Sequence, residues 1–199
     1  MRYRCPICGN WRTDCTIIDE WSTVIAPPAP ELKAICIDPR TSALLILDME
    51  NSICNNYRCI ASIPMINNLL EHARKHNMLV VYSLTHTGTV SDIAPQLSPT
   101  PYDPVVKSNV DKFYGTDLEK VLQEYGIQTV IITGYAANGA VLHTATSAAF
   151  RGFDVVVPVD GMSAVNPYAE QYTAWHMLNS PGTRNRATLT KMDLITFCQ

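Results

Sequence analysis

The chain has 199 residues, 47% hydrophobic and 17% charged, with 15 Lys and Arg against 18 Asp and Glu. This length suits one domain with a short appendage, and the apolar fraction excludes a chain disordered throughout. A net charge of −3 argues against an electrostatic binder of nucleic acid or of a membrane surface.

No apolar run approaches the roughly 20 residues of a membrane span. The opening residues MRYRCPICGNWRTDC carry no apolar h-region, which predicts no secretory signal and hence a cytoplasmic protein. Seven cysteines (Cys5, Cys8, Cys15, Cys36, Cys54, Cys59 and Cys198) form an odd set, which argues against a secreted disulfide framework and predicts free thiols in the leader. Cys5-Pro-Ile-Cys8-Gly has the spacing of half a zinc ribbon, with Cys15 as a third thiol. A closed tetrahedral site needs four ligands, and no second pair follows. Residues 1–30 lack sustained periodicity and end in Ala26-Pro27-Pro28-Ala29-Pro30, a stiff connector. They read as an extension, with the domain proper over residues 31–199.

From Ser42 the pattern is regular. Ser42 to Asp48 is a continuous apolar run, as expected of a strand buried on both faces. Ile63, Ile66, Leu69, Leu70 and Ala73 predict a helix over Ser62–Asn77, followed by a strand over Met78–Ser83. The stretch from Thr85 to Lys107 holds five prolines and glycines and reads as a loop. Thr116 or Asp117 caps a helix running to Tyr125. A strand follows over Thr129–Thr133, then a helix over Gly139–Arg151. Asp154–Val159 reads as a strand, and Tyr168–Asn179 as the last helix. Strands alternating with helices predict a three-layer α/β/α sandwich with a central, mostly parallel sheet. Sites in such sheets gather at the carboxyl ends of strands. That points to Asp48, to Thr85 and His86, and to the turn Gly134–Gly139.

Asp48 ends an apolar strand, so its carboxylate needs a cation or hydrogen-bond donors. Lys107 follows an extended segment and could reach the sheet edge. The turn from Thr133 to Val141 leaves a strand and enters a helix. Free N–H groups and a partial positive charge there suit a developing oxyanion. The turn is not a phosphate loop, because neither GxxxxGK[ST] nor GxGxxG occurs in it.

Over residues 40–195 these segments resemble the isochorismatase-like hydrolases, the cysteine hydrolase superfamily. The resemblance rests on Leu44–Asn51, on Val106-Lys107 with Asp111–Leu118, on Val130–Asn138, and on Ala148–Gly161. It implies a cofactor-free hydrolase of a small molecule, organised as a homo-oligomer. Amidase members use an Asp, a Lys and a Cys, which match Asp48, Lys107 and position 140. It implies further that Tyr135, Ala136, Asn138, Gly139, Phe113 and His86 surround the substrate, and that the Tyr135–Ala136 peptide is cis.

Position 140 is Ala140, and no cysteine lies between residues 60 and 197. Cys54, six residues beyond Asp48, is a remote substitute thiol, and Thr144 and His143 lie deeper along the helix than a nucleophile would. Three readings follow. The chain resembles the branch that cleaves vinyl ethers by Asp and Lys acid–base chemistry; or it is a Cys-dependent amidase with the nucleophile replaced; or it is a non-catalytic binding member. A histidine-based metal site is not expected, because Glu50–Cys59 contains no His. A phosphoacceptor receiver fails on the order of its Lys and strands. Tyr168, Tyr172 and Trp175 share a helical face, and Trp175 is the candidate for subunit packing.

Overall fold

The computed structural model describes residues 16–198, together with the backbone of residues 3–4 and 11–12. Cys5, Cys8 and Cys15, and with them the zinc-ribbon reading, lie outside the described residues. The chain divides into two compact units, Met1–Pro30 and Glu31–Gln199. In the first, β1 (Tyr3–Arg4) pairs antiparallel with β2 (Trp11–Arg12). No helix among the described residues is long and apolar enough to cross a membrane.

The second unit begins with β3 (Ile35–Ile37) and β4 (Ser42–Leu47), then α1 (Tyr57–Lys75), β5 (Leu79–Leu84) and β6 (Val105–Lys107). It continues through α2 (Leu118–Glu124), β7 (Thr129–Tyr135), α3 (Leu142–Phe150), β8 (Asp154–Pro158) and β9 (Met162–Ser163). It closes with α4 (Pro167–Asn179), β10 (Ala187–Thr190) and β11 (Ile195–Phe197). The main sheet runs β10-β8-β7-β4-β5-β6, with every neighbouring pair parallel, and β9 adds to the end of β7. β3 and β11 form a separate parallel pair.

All six residues of β4 are buried, which explains the uninterrupted apolar run. Its alternate residues serve two cores. Ala43, Leu45 and Leu47 face the side packed by α2, α3 and α4, whereas Leu44 and Ile46 face α1 and the segment Ile93–Leu97. The sandwich therefore has helices on both faces of a central parallel sheet.

Several boundaries differ from those read in the sequence. α1 starts at Tyr57, not Ser62, because the Asn56 side chain accepts a hydrogen bond from the Cys59 N–H and caps the helix. Its first turn keeps Tyr57, Arg58 and Ile60 exposed, so no apolar period marks it. The predicted loop Thr85–Lys107 contains β6 at its end, a three-residue edge strand too short to show alternation. The helix expected from Gly139 begins as a wider turn over Ala137–Val141, in which Gly139 has non-helical dihedrals. β3, β9, β10 and β11, each four residues or fewer, were not legible as periodic segments.

The expectation that the cysteines form no disulfide framework is corrected, whereas the free thiols expected in the leader lie outside the described residues. Cys36 is bonded to Cys198 and Cys54 to Cys59, with Cα separations of 5.6 and 5.3 Å. An odd cysteine count did not prevent pairing among these four, because the other three fall in the amino-terminal unit.

Candidate active site

Chain order and sheet order diverge at β4. From β4 the chain moves outward through β5 to β6, then returns by α2 to β7 on the other side of β4. The connections leaving β4 and β7 part in opposite directions, which opens a crevice at the carboxyl ends of these strands. Asp48 follows the last residue of β4, and Gly134 and Tyr135 end β7 beside it.

The approach of the two strand ends is close. Gly134 has φ +124°, and a Cβ there would stand 2.0 Å from the Leu47 carbonyl oxygen. Only glycine fits such contact with backbone. The next peptide, Tyr135–Ala136, is cis, at the position the family resemblance implied. Asp48 has φ +49°, so the chain turns sharply as it leaves β4.

The Asp48 carboxylate is buried and carries two strong contacts. Oδ1 accepts from the Ser83 hydroxyl on β5 at 2.7 Å, and Oδ2 meets the Lys112 ammonium at 2.7 Å. Lys112 is fully buried, and its Nζ also donates to the carbonyls of Ser108 and Asn109 at 3.0 and 2.5 Å. These three acceptors use all three ammonium protons. Burial pushes the Asp48 carboxyl above the ordinary carboxylate range. The Lys112 charge and hydrogen bond pull against it, as does the Ser83 bond, while nearby Glu50 adds to the rise.

Lys107 was expected to be the cation facing Asp48, and here the structure corrects the sequence reading. Lys107 ends β6, which lies two strands from β4, about 10 Å at ordinary strand spacing. Its ammonium donates instead to the Gly88 carbonyl at 2.7 Å, and the residue is exposed. After β6 the chain folds back over the sheet end. The Thr144 hydroxyl accepts from the Lys112 N–H at 3.2 Å and donates to the Val110 carbonyl at 3.3 Å, which ties this return to α3. Lys112 thereby reaches the crevice that Lys107 does not. Its sequence signal was present, within the same Asp111–Leu118 segment, but nothing local told one lysine from the other.

The remaining expected residues divide. Ala140 is buried at the head of α3, packed with Ala137, Val141 and Phe113 in the core on that face. Tyr135, Ala136 and Gly139 are half-buried and Asn138 is exposed. Helix geometry leaves the Asn138 and Ala140 amides, in the first turn, without an intrahelical acceptor. Phe113 is a core residue, its ring stacked on Phe153 at 6.1 Å and covered by the Arg151 guanidinium at 4.6 Å. His86 is exposed in the turn after β5. Cys54 is committed to its bond with Cys59, and Thr144 to its backbone bonds, so neither offers a free nucleophile. His143 is exposed on α3.

Glu50 was not singled out in the sequence. It is buried, and its carboxylate accepts from the Thr85 N–H at 2.6 Å and the Thr85 hydroxyl at 3.0 Å. A Cβ on Gly88 would stand 2.1 Å from Glu50 Oε2, so the loop after β5 closes directly over that carboxylate. Glu50, Ser52, Thr87, Gly88, Thr89, Ser91 and Asp92 line a cavity of about 350 Å³ beside this loop. The period-two spacing of Asp48 and Glu50 was the available signal. Among the described residues no cluster of three or more His, Cys, Asp or Glu is arranged to hold a metal ion.

Residues 42–190 match the family profile described as the isochorismatase domain. The uncharacterized isochorismatase family protein YaaI of Bacillus subtilis is 28% identical over 160 residues, covering 69% of this chain and 88% of that protein. A secreted isochorismatase effector of Verticillium dahliae is 30% identical over 136 residues, covering 61% of this chain and 72% of the relative. The solved structure of an isochorismatase family protein from Burkholderia thailandensis superposes with a TM-score of 0.69 at 23% identity, covering 80% of this chain and 95% of that one. The parallel sheet with its crevice beyond β4 and β7, and a profile match spanning most of the chain, establish that this protein belongs to the isochorismatase family.

Proposed function

We propose that this protein is a hydrolase of a small vinyl ether, working by acid catalysis with no thiol nucleophile and no cofactor. The observation that carries the reading is a buried acid at the end of β4, Asp48, in a chain that has an alanine at position 140 in the turn after β7. All four cysteines among the described residues are held in disulfides, so none of them supplies a substitute thiolate. A relative named as an isochorismatase effector supports the same class of bond.

In this mechanism the protonated Asp48 carboxyl delivers its proton to the terminal CH₂ carbon of the enol ether. The resulting oxocarbenium ion takes up water at its cationic carbon. The proton shed by that water returns to Asp48, and the hemiketal collapses to a ketone and the free alcohol. Burial pushes the Asp48 carboxyl above the ordinary carboxylate range, the direction in which a proton donor is tuned. Lys112 and Ser83 fix the carboxyl's position, while the Asn138 and Ala140 amides form the anion pocket for the substrate or departing oxygen. Lys107 and the hydroxyl-lined cavity by Gly88 flank the approach.

The test is turnover of a panel of vinyl ethers, amides and carbamoyl compounds by the parent, Asp48→Asn and Ala140→Cys. Vinyl-ether turnover in the parent that falls at least about 100-fold in Asp48→Asn supports the proposal. Amide hydrolysis that appears only in Ala140→Cys would show an amidase scaffold lacking its nucleophile. The proposal also takes the protein as a homo-oligomer, with the exposed Tyr168, Tyr172 and Trp175 of α4 meeting a second copy. Sedimentation of the parent against Trp175→Ala tests that part.

A further inference from the structure

We infer that the two disulfides are resident parts of this fold, that the protein therefore works in an oxidising compartment, and that the Cys54–Cys59 bond latches the loop carrying Asp48 and Glu50 onto α1. The inference stands on geometry alone and is independent of the reaction proposed above.

The loop from Asp48 to Asn56 is pinned on one side by hydrogen bonds. The Asn51 N–H donates to the Asp92 carbonyl at 2.7 Å, and the Ala94 N–H donates to the Met49 carbonyl at 2.9 Å. The Ser52 hydroxyl and N–H both reach the Asp92 carboxylate, at 2.5 and 3.3 Å. Within the loop, the Cys54 N–H donates to the Glu50 carbonyl at 2.7 Å. The other side is covalent. Cys54 bonds to Cys59, which sits in the first turn of α1 with its own N–H capped by Asn56. The bond thus connects the turn that sets Glu50 to the helix covering the opposite core. Both sulfur-bearing residues are buried, Cys54 at 4% and Cys59 at 0% exposure.

The second bond joins residues 162 apart in sequence and ties β3 to the chain just after β11. Cys36 is exposed and Cys198 half-buried, so this bond meets external thiols first. Reduction by glutathione balances simply. Each protein disulfide takes up two electrons and two protons to become two thiols, and two glutathione thiols join as glutathione disulfide. A fold that relies on two such bonds, one of them exposed, is at odds with a reducing cytosol and suits a secretory or extracellular setting. The inference departs from the cytoplasmic expectation drawn from the sequence.

Peptide mapping provides the test, because trypsin cleaves after Arg58 and leaves Cys54 and Cys59 in separate peptides. The whole protein is equilibrated in glutathione buffers poised like the secretory pathway and like the cytosol, blocked with an alkylating agent, and digested. At the oxidising poise, peptide 41–58 should be found linked to 59–74, and 34–40 linked to 192–199; alkylated, unlinked peptides at that poise would overturn the inference. The latch is read separately, by hydrogen exchange over residues 49–56 in Cys54→Ser/Cys59→Ser. Exchange should quicken roughly tenfold or more, because opening regains the freedom the bond removes. Unchanged exchange in a variant that keeps the parent's exchange elsewhere would overturn it.

Discussion

Lys112 has no exposed surface, and each proton of its ammonium has an acceptor, one of them the Asp48 carboxylate. Removing one member of such a pair strands the other in a medium that solvates it poorly. Lys112→Met should therefore cost about 3–5 kcal/mol in urea denaturation, with part of the loss recovered in the double variant with Asp48→Asn. Lys107→Met gives up one surface hydrogen bond, to the Gly88 carbonyl, and should cost no more than about 1.5 kcal/mol. The contrast distinguishes the two lysines without any assay of activity. Asp48 also has a pH signature. Its carboxyl is pushed above the ordinary value of 3.8, so between that value and the raised one the folded state holds more proton than the unfolded state. Its contribution to stability is fully present at acid pH and is lost as pH rises through the raised value. The stability difference between the parent and Asp48→Asn should shrink, in the parent's disfavour, as pH is raised across that window. On the proposed mechanism, kcat/KM falls over the same window, because the proton being lost is the one delivered to substrate.

At the scale of elements, the site depends on how closely β4 and β7 can end beside each other. Gly134 carries that approach, with φ +124° and no room for a Cβ against the Leu47 carbonyl. Gly134→Ala combines a forbidden dihedral with a backbone clash, so it should destabilise by about 4 kcal/mol or more, or leave only aggregated protein. Gly152 has φ +89° with open space around it, so Gly152→Ala should cost only about 1 kcal/mol. Thermal melts of the two variants compare a glycine needed for packing with one needed only for its dihedral. α1 shows how an element's start escapes a reading of periodicity. Its first turn exposes Tyr57, Arg58 and Ile60 and is held by the Asn56 cap and the bond of the buried Cys59, so apolar spacing begins only at Ile63. The same limit hid β6, where only three residues, Val105 and Lys107 exposed and Val106 half-buried, pair at the sheet edge.

At the scale of the whole molecule, the Cys36–Cys198 bond closes nearly the full length of the second unit. A loop of 162 residues gives a chain-entropy stabilisation of about 5 kcal/mol, against about 2 kcal/mol for the short Cys54–Cys59 loop. Cys36→Ser/Cys198→Ser should accordingly lower Tm more than Cys54→Ser/Cys59→Ser does. Scanning calorimetry of the two double variants checks the order, and equal shifts would mean that native-state packing, rather than chain entropy, dominates both bonds.

The sequence by itself determined the alternation of strands and helices, the two-sided burial of β4, the place of Asp48 at a strand end, the turn after β7, and the alanine at position 140. Each of these is written in local spacing or in a single residue type, so the fold and two segments of the candidate site could be read directly. Only the tertiary structure decided which lysine meets Asp48, that Ser83 and Glu50 are buried around it, that Phe113 belongs to the core, and which cysteines pair. These depend on residues far apart in the chain. Lys107 and Lys112 are five positions apart and look alike in sequence. The return of the chain from the sheet edge, fastened to α3 through Thr144, brings one of them to the carboxylate and leaves the other on the Gly88 loop.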